Sequence, residues 1–420
     1  MLQQFNWFGK KLLILGATTL HSEIAKTARS YGAYIGVVDP YKDSFAKRFA
    51  DVSFEEDVMN TSSIVRIVKD NDFDGVITGF SDALLEPYLT ICREANLPCS
   101  VSEKIIRISK DKQYFLELCQ KYNIETPKRF TLDEIESESF VFRPLIVKPN
   151  DNSGARGISI CRTPAELKCA IDEAKSNSFS GDIVIDEYME LEEATLFYLF
   201  DKGKAYISAM GDRHIYNVNR DNGLRLPTGY TFPSKALPFV IDELDTKFKK
   251  LFKELEVSDG MVFIQGMVSN NAFIPYECGF RLTGSLEYKL NRSANHFDPM
   301  CNIINFALTG DMAIREDLLN PNFEQKHFNI SCLLKEGNIS SISGLEELKK
   351  YDDFLGYFLS YYTGQGISKK NIGKLAQIGV RLFFREDQSS YDEMIEHIKA
   401  NLRIIDSNNQ DLLLNYEIRK

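Results

Sequence analysis

The first eighty residues alternate short apolar runs with amphipathic segments. Residues 11–15 form an apolar run that ends at Gly16, helical spacing of apolar positions follows through Ile24 and Ala28, and a second apolar run precedes Asp39. A helix over residues 62–69 and a strand over residues 75–78 continue the alternation. This order is typical of a parallel sheet, so the pattern predicts an α/β protein that opens with a doubly wound, Rossmann-like domain.

The turn after the first strand carries one glycine. A dinucleotide-binding turn needs three spaced glycines, so Gly16 alone does not predict NAD binding. Residues 16–21 and Asp39 nevertheless follow the carboxyl ends of predicted strands, where ligands of such sheets bind. The alternative is that these residues serve the turns alone.

Near residue 105 the pattern changes to a longer amphipathic helix over residues 109–125, which ends before a Thr-Pro step. Two apolar strands, residues 145–148 and 157–160, then flank a polar loop that contains Ser153, Gly154, Ala155, Arg156 and Gly157. With Lys148 on the first strand, this hairpin is suited to covering a polyphosphate with N–H groups and positive charge. The alternative is an ordinary surface hairpin. The order of residues excludes a P-loop, because the lysine precedes the glycines.

A helix over residues 164–175 and a strand over residues 182–186 lead into an acidic bend that contains Asp186, Glu187, Tyr188, Met189 and Glu193. Another apolar strand, residues 194–200, follows. Such a bend is commonly a solvated turn. An extended segment beside an apolar pocket can also offer backbone groups to a purine edge, and a nearby carboxylate can accept both ribose hydroxyls.

Residues 211–234 are polar and aromatic without steady periodicity, and they include Arg213, His214, Arg220 and Arg225. Loops of this length in compact domains are usually functional lids or disordered segments. The four basic residues favour a lid that faces an anion. An amphipathic helix is predicted next, over residues 240–255.

Residues 260–284 predict an antiparallel hairpin with its turn at residues 269–271. Gln265 and Glu277 can project from neighbouring strands, and Arg281 lies four residues beyond Glu277. A carboxylate beside an oxygen-donor side chain can hold Mg²⁺ against substrate phosphates. The alternative is a half-buried ion pair between Glu277 and Arg281.

From about residue 311, short strands at 328–334, 339–343, 378–384 and 402–406 alternate with a helix at 391–400. Nothing in this part has catalytic spacing, and His327 and His397 are expected to be packing or surface residues.

Composition excludes several classes of function. The 420 residues have a net charge of −10, which gives no electrostatic footprint for nucleic acid. The chain lacks both a secretory signal pattern at residues 1–10 and any run of 18 apolar residues, so a cytoplasmic protein with no membrane partner is expected. The eight cysteines form no C-x-x-C pair, so no zinc site is predicted and the thiols are expected to be reduced.

The order of these motifs resembles the ATP-grasp superfamily, and most of all its carbamoyl-phosphate-synthase-like and L-amino-acid-ligase branch. The motifs are Lys112, Lys148 with the glycine-rich hairpin, residues 186–189 with Glu193, and then Gln265, Glu277 and Arg281. The resemblance implies an N-terminal Rossmann-like (pre-ATP-grasp) domain at residues 1–105 and a two-lobed α+β ATP-grasp domain at 106–310. The small lobe would cover about 125–186 and the lid 211–234, and a small C-terminal α/β domain would cover 311–420.

The resemblance also implies roles for these residues. Lys112 and Lys148 would contact ATP phosphates, residues 153–157 would close over them, and the backbone of Glu187 and Met189 would bind adenine. Asp186 and Tyr188 belong to the same nucleotide-binding segment, and Glu193 would hold the ribose. Glu277, with Gln265, would bind Mg²⁺, or Mn²⁺ in its place, and Arg281 would steady the transferring phosphoryl group.

By the same resemblance, the expected reaction joins a small-molecule carboxylate to an amine through an acyl phosphate and releases ADP and phosphate, with a homodimer left open. Two departures from the family pattern weaken a two-metal site: Gln265 stands where an acidic residue is usual, and Gly279-Phe280 stands where Asn-Pro is usual. A degenerate ATP-binding sensor is therefore the alternative. Biotin carboxylase is disfavoured because its longer glycine run is absent from the hairpin.

Overall fold

The computed structural model describes residues 3–151, 157–217, 225–387 and 390–414. The strands are β1 (Lys11–Leu15), β2 (Tyr34–Val38), β3 (Val52–Phe54), β4 (Gly75–Ile77), β5 (Leu145–Pro149), β6 (Ser159–Cys161), β7 (Ile183–Glu187), β8 (Glu192–Asp201), β9 (Lys204–Asn217), β10 (Arg225–Phe232), β11 (Gly260–Ser269), β12 (Ala272–Gly279), β13 (His327–Leu333), β14 (Gly337–Ser343), β15 (Phe354–Leu359), β16 (Gly366–Ile367), β17 (Ile378–Arg385) and β18 (Arg403–Asp406).

The helices are α1 (His21–Ser30), α2 (Thr61–Asp70), α3 (Leu85–Ala95), α4 (Glu103–Lys110), α5 (Lys112–Lys121), α6 (Leu132–Glu136), α7 (Pro164–Asn177), α8 (Leu237–Phe239), α9 (Asp245–Glu254), α10 (Tyr288–Asn295), α11 (Pro299–Thr309), α12 (Leu345–Leu348) and α13 (Tyr391–Asn401). A π-helical segment, Val240–Leu244, joins α8 to α9. Within the described ranges, every helix is too short or too polar to cross a membrane.

The N-terminal sheet is parallel, with strand order β3-β2-β1-β4. Four of the five residues of β1 and of β2 are buried, as expected for parallel strands covered on both faces. Gly16 leaves β1 with a φ of +91°, a conformation that glycine adopts without strain. The predicted α/β opening is confirmed.

The predicted hairpin forms a small sheet of order β6-β5-β7, in which Leu145 pairs with Cys161 and with Glu187. Leu145, Val147, Cys161 and Ile185 are buried and form a separate hydrophobic core with residues of α7. The loop residues Ser153, Gly154, Ala155 and Arg156 lie outside the described ranges. Because the sheet has a core of its own, it can position Lys148 as one unit.

The single helix predicted over residues 109–125 is wrong at its start, and it ends earlier than predicted, at Lys121. Helix α4 ends at Lys110 and α5 begins at Lys112, because Asp111 accepts a 3.0 Å hydrogen bond from the N–H of Tyr114 and caps the second helix. Asn150, at the end of β5, donates to the same Asp111 carboxylate at 3.2 Å. The break places Lys112 in the first turn of α5, next to the hairpin.

The largest sheet has eight antiparallel strands in the order β12-β11-β8-β9-β10-β13-β17-β15. The irregular loop predicted over residues 211–234 is wrong for most of its length, because residues 211–217 belong to β9 and residues 225–232 to β10. Their sequence lacks a clear alternation because polar side chains lie on both faces of β9: Arg213 points to one face, and Asp212 and His214 point to the other. That residues 211–234 act as a lid stays a prediction. The tip, residues 218–224, lies outside the described ranges.

The same sheet continues through β13, β17 and β15, beyond the domain boundary predicted near residue 310. Strands β14, β16 and β18 form a smaller sheet beside it, and α13 packs into the shared core through Met394, Ile395 and Ile398. The predicted domain boundaries stay predictions. The eight cysteines, all within the described ranges, are free thiols.

Candidate active site

A cavity of about 240 Å³ lies between the small hairpin sheet and the eight-stranded sheet. Ile146, Ile158 and Ile160 line it from the hairpin, and Phe263 and Met267 from β11. The predicted site residues that line it are Lys112, Lys148, Asp186, Glu187, Tyr188, Met189, Glu193, Gln265, Glu277 and Arg281. Residues that are up to 169 positions apart in the sequence therefore converge on one space.

Gly157 is the described part of the predicted phosphate-covering loop, and it does not line the cavity. Its φ is +69°, and a Cβ at this position would lie 2.6 Å from Cβ of Asn177 and 3.0 Å from Cγ of Pro149. Glycine is therefore required here by the close approach of the hairpin to the end of α7. The role predicted for residues 153–156 stays a prediction.

Lys148 is held by a buried carboxylate. Its Nζ lies 3.1 Å from Oδ2 of Asp186, and Nε of Arg129 donates to Oδ1 of Asp186 at 2.9 Å. Burial alone would raise the pKa of Asp186, but the charges of Lys148 and Arg129 outweigh burial and lower it. The Asp186 side chain is 1% exposed, so its contribution is to position Lys148 at the cavity wall.

Lys112 approaches the same region from the start of α5. Asn150 links the two elements, since its side-chain oxygen accepts from the N–H of Gln113 at 3.3 Å. Burial and the Lys148 charge lower the pKa of Lys112, while Glu277 acts in the opposite direction. The two lysines and Glu277 are therefore close enough to influence one another, as expected around an anionic ligand and a cation.

The segment after β7 presents backbone to the cavity. The N–H of Glu187 donates to the carbonyl of Lys128 at 2.8 Å, and the N–H of Tyr188 to the carbonyl of Pro144 at 2.9 Å. Both donors are therefore occupied by the hairpin sheet. The N–H of Met189 has no partner in the described ranges, so Met189 is the residue of this segment that can donate to a purine ring.

Glu193, at the cavity end of β8, belongs to a buried network. Its Oε2 lies 2.5 Å from Nη1 of Arg213 and accepts from the hydroxyl of Tyr276 at 2.9 Å. The same Nη1 lies 3.4 Å from Oε1 of Gln265. Burial opposes the charged form of Arg213, but Tyr230, Tyr276 and Glu193 outweigh burial and raise its pKa. Arg213 therefore connects the predicted ribose and metal positions.

Gln265 and Glu277 are direct cross-strand neighbours on β11 and β12. In the described ranges, no cluster of three or more His, Cys, Asp or Glu side chains could hold a metal ion. Mg²⁺ commonly takes one or two protein carboxylates and completes its shell with phosphate oxygens and water. Glu277 and Gln265 fit one such ion.

The departure at Gly279 has a structural cause. Gly279 pairs with Phe263, and a Cβ at this position would lie 2.5 Å from the Phe263 ring. The aromatic ring therefore excludes a second oxygen ligand after Glu277. The guanidinium of Arg281 lies over the same ring, 5.0 Å from its centre.

Arg281 pairs with Asp82, through an Nη2 to Oδ2 distance of 2.7 Å. The alternative of an ion pair between Arg281 and Glu277 is therefore not what the structure shows. Asp82 follows β4 of the N-terminal sheet, so the two sheets meet at this ion pair. The Glu277 carboxylate stays directed at the cavity that it lines.

The N-terminal residues 16–21 and Asp39 do not line the cavity. His21 is buried, with Nδ1 2.7 Å from Oγ1 of Thr18 and Nε2 2.9 Å from the carbonyl of Thr78. Asp39 accepts from the N–H of Tyr41 at 3.0 Å. These contacts favour the alternative in which the residues serve the turns.

Sequence reasoning missed three residues of the site. Arg213 was counted among the lid cations, although it lies on a strand and contacts Glu193. Tyr276 and Asp82 were not considered. Tyr276 immediately precedes Glu277, and in a regular strand the two side chains would point to opposite faces. The pairing of β11 and β12 shifts at the β-bulge between residues 265 and 266, and both side chains line the cavity. The signal that could have found Tyr276 is its position next to a candidate metal ligand.

No model of a protein family matches the sequence. The formate-dependent phosphoribosylglycinamide formyltransferase of Prochlorococcus marinus is 25% identical over 198 residues, which are 46% of this chain and 50% of that protein. The chain thus spans about half the length of the curated relatives that it matches.

Solved structures match over nearly the whole chain. The L-amino acid ligase from Bacillus licheniformis has a TM-score of 0.75 at 18% identity, over 95% of this chain and 99% of that one. The biotin carboxylase domain of the Hydrogenobacter thermophilus 2-oxoglutarate carboxylase, solved with MgADP, has a TM-score of 0.73 at 15% identity, over 93% and 90%.

Proposed function

The chain has the ATP-grasp fold, and from this premise we propose that it is a ligase that joins a carboxylate to an amine with ATP. The reaction would proceed in two steps. The carboxylate oxygen attacks the γ-phosphorus and ADP leaves, and the amine then attacks the acyl carbon and expels phosphate. Both steps need positioning and charge neutralisation by the protein.

The observation that carries this proposal is the convergence of Lys112, Lys148, Glu277 and Arg281 on one cavity. Three of the four side chains are cationic, and one carboxylate faces them. No Ser, Thr or Cys is among the described residues that line the cavity. This composition favours direct transfer of a phosphoryl group to the substrate over transfer through a protein nucleophile.

The nucleotide would lie along the cavity from the Met189 side to the lysine side. Met189 would donate its N–H to adenine, Ile146, Ile160 and Met267 would enclose the ring, and Glu193 would accept from the ribose. Lys112 and Lys148 would bind the phosphates. Because Asp186 and Arg129 hold Lys148 in place, its ammonium needs little reorganisation when phosphate binds.

One Mg²⁺ would be held by Glu277 and Gln265. When bound, this ion supplies positive charge against the phosphate oxygens. The neutral Gln265 and the Phe263 ring beside Gly279 both disfavour a second ion. Arg213, close to Gln265, adds a fixed positive charge at that end of the cavity.

The same two departures favour a second candidate, a protein that binds ATP as a regulatory sensor without ligation. In that case the cavity would bind ATP and Mg²⁺, and no combination of carboxylate and amine would release phosphate.

Product analysis separates the two functions. Protein with ATP and Mg²⁺ is supplied with a pool of amino acids and small carboxylates, and hydroxylamine is added as a general amine. A ligase releases ADP and phosphate and forms hydroxamates, whereas AMP and pyrophosphate would indicate adenylation. If calorimetry shows ATP and Mg²⁺ binding but the pool gives no phosphate release, the ligase proposal is wrong and the sensor is favoured.

A further inference from the structure

Two of the eight cysteines lie side by side at the end of α3. Cys92 is in the last turn of this helix, and Cys99 follows seven positions later, in the segment that joins α3 to α4. Their thiol groups are hydrogen-bonding partners of each other. Neither cysteine is among the described residues that line the nucleotide cavity, so the pair has no part in the proposed ligase site.

The fold holds the segment of Cys99 against the end of α3. The N–H of Leu97 donates to the carbonyl of Cys92 at 2.9 Å, so the chain turns back after the helix. Beyond Cys99, Nη2 of Arg93 lies 2.6 Å from Oε1 of Glu103, and this ion pair ties the end of α3 to the start of α4. Because contacts on both sides of Cys99 lead back to α3, the two thiols are kept adjacent.

The two thiols have different surroundings. Cys92 is fully buried, whereas Cys99 is half-buried, with its Sγ 3.4 Å from the carbonyl oxygen of Val101. The hydrogen bond with Cys92 is the main cause that lowers the pKa of the Cys99 thiol against burial. The same contact and burial raise the pKa of Cys92. An accessible, more acidic thiol beside a second thiol is the arrangement found in cysteines that are sensitive to oxidation.

We propose that Cys92 and Cys99 form a modification site, at which a hydroperoxide oxidises the two thiols to one disulfide. The thiolate of Cys99 attacks the terminal peroxide oxygen, the O–O bond breaks, and Cys99 becomes a sulfenic acid. The leaving alkoxide, or hydroxide when the oxidant is hydrogen peroxide, takes the proton that Cys99 released. The sulfur of Cys92 then attacks the sulfur of Cys99, the S–O bond breaks, and the departing hydroxide leaves as water with the Cys92 proton. The two thiols together lose two electrons, and the hydroperoxide gains them.

The disulfide would form beside a second cavity, of about 40 Å³. Tyr88 and Ser100 line this cavity, and Arg281 lines both this cavity and the nucleotide cavity. Ser100 is held in the wall, because its side chain is hydrogen-bonded to Tyr88 and its Cβ would lie 3.1 Å from a Cβ on Gly260, at the start of β11. Oxidation of Cys99 would therefore constrain the chain directly before Ser100, at a cavity that Arg281 shares with the nucleotide site.

Peptide mapping of the folded, full chain tests the proposal. Reduced protein is freed of reductant, treated with hydrogen peroxide, blocked with iodoacetamide and digested with trypsin without further reduction. Trypsin cleaves after Arg93, so residues 70–93, which contain Cys92, separate from residues 94–104, which contain Cys99, unless a disulfide joins them. We expect the joined pair of peptides, lighter by two hydrogens than the sum of the two. It should disappear when the oxidised protein is returned to a thiol reductant before blocking.

Three variants identify the role of each thiol. Cys92→Ala should stop the reaction at the sulfenic acid, which dimedone traps on residues 94–104. Cys99→Ala should leave Cys92 unmodified, because Cys92 is fully buried. Cys169→Ala removes an exposed thiol on α7 and should form the joined peptides as the unaltered protein does. The mapping of the unaltered protein needs no substitution, so it decides the proposal even if a variant fails to fold.

The proposal is overturned if the two peptides stay separate at peroxide concentrations that already oxidise Cys169, or if Cys99 is joined to another cysteine or to a second copy of the chain. It is also overturned if the joined pair forms only after unfolding in urea, since the fold would then not hold the thiols together. A sulfenic acid on Cys92 in Cys99→Ala would contradict the proposed order of attack. The oxidation uses neither ATP nor the nucleotide cavity, so these outcomes are separate from those that test the proposed function.

Discussion

Arg213 and Arg381 lie on one face of the same sheet, and their surroundings are opposite. Arg213 has Glu193 at 2.5 Å and the Tyr276 hydroxyl at 2.8 Å, and these neighbours help raise its pKa. Burial lowers the pKa of Arg381 to about 10, and Tyr230 acts weakly in the opposite direction. The cavity end of the face thus has a paired guanidinium, whereas the guanidinium at the other end has no ion pair among the described residues.

This difference predicts how strongly the removal of each charge should affect the stability of the fold. A paired buried charge is fixed before the ligand arrives, so it can orient the ligand, and removing its partner damages the fold. An unpaired buried charge has no opposite charge to lose, so removing it should destabilise the fold less. The predictions below follow from this contrast.

Glu193→Ala should leave Arg213 without its carboxylate partner, although the Tyr276 hydroxyl would remain beside its guanidinium. Removal of one partner from a buried pair costs about 3–5 kcal/mol, so we expect a loss of this size in the free energy of unfolding, measured by urea titration. The matched control is Glu316→Ala, whose carboxylate is 58% exposed and pairs with Lys204, and whose effect should stay below about 1 kcal/mol. Equal effects of the two variants would contradict the contrast.

Lys148→Ala should weaken the nucleotide end without the same loss of stability, because Arg129 still pairs with Asp186. A charge-assisted contact to phosphate contributes about 1.5–3 kcal/mol. We therefore expect ATP to bind roughly tenfold to a hundredfold more weakly in calorimetry. Lys204→Ala, an exposed lysine, is the control and should not change ATP affinity. Unchanged affinity in Lys148→Ala would remove Lys148 from the site.

The buried carboxyl group of Glu287 should make the stability of the protein depend on pH. Burial raises the pKa of Glu287 to about 6, against hydrogen bonds from Thr283 and Ser285 and the charge of Arg281. The folded protein therefore binds this proton more tightly than the unfolded chain, so the stabilisation is complete below pH 4.5 and is lost as pH rises through 6. The loss should be about 2 kcal/mol.

Glu287→Gln should remove this dependence. The difference in unfolding free energy between the original protein and the variant should change by about 2 kcal/mol between about pH 4 and pH 7, with the original protein relatively weaker at the higher pH. Comparing the two proteins cancels the titration of other groups. Parallel pH profiles would mean that Glu287 has an ordinary environment.

The sequence predicted the hairpins well because their signals are local. The turn at residues 269–271 fixes the register of β11 and β12, and this register places Gln265 opposite Glu277. Likewise, the apolar strands of the small lobe bring Lys148 beside Asp186. In both cases the pattern of a few consecutive residues determines which side chains meet.

The predictions that failed depend on distant partners. Residues 211–217 look irregular because β9 has polar side chains on both faces, Arg213 on one and Asp212 and His214 on the other, so no alternation of polar and apolar residues is visible. The register of the β8–β9 hairpin places Arg213 opposite Glu193, so this contact could be predicted only by recognising β9 as a strand. Nothing local indicates that Asp82 meets Arg281 or that Asn150 reaches Asp111. These two contacts join elements that are far apart in sequence, so only the assembled fold specifies them.

The central claim, carboxylate activation by ATP, can be tested by following one oxygen atom. Amino acids and small carboxylates labelled with ¹⁸O in the carboxyl group are pooled with the protein, unlabelled ATP and Mg²⁺ in ordinary water, and the released phosphate is analysed by mass spectrometry. An acyl phosphate transfers one carboxyl oxygen to phosphate when the amine displaces it, so the account predicts phosphate that carries one ¹⁸O. Phosphate released without label would show that water attacks ATP directly, and would contradict the account.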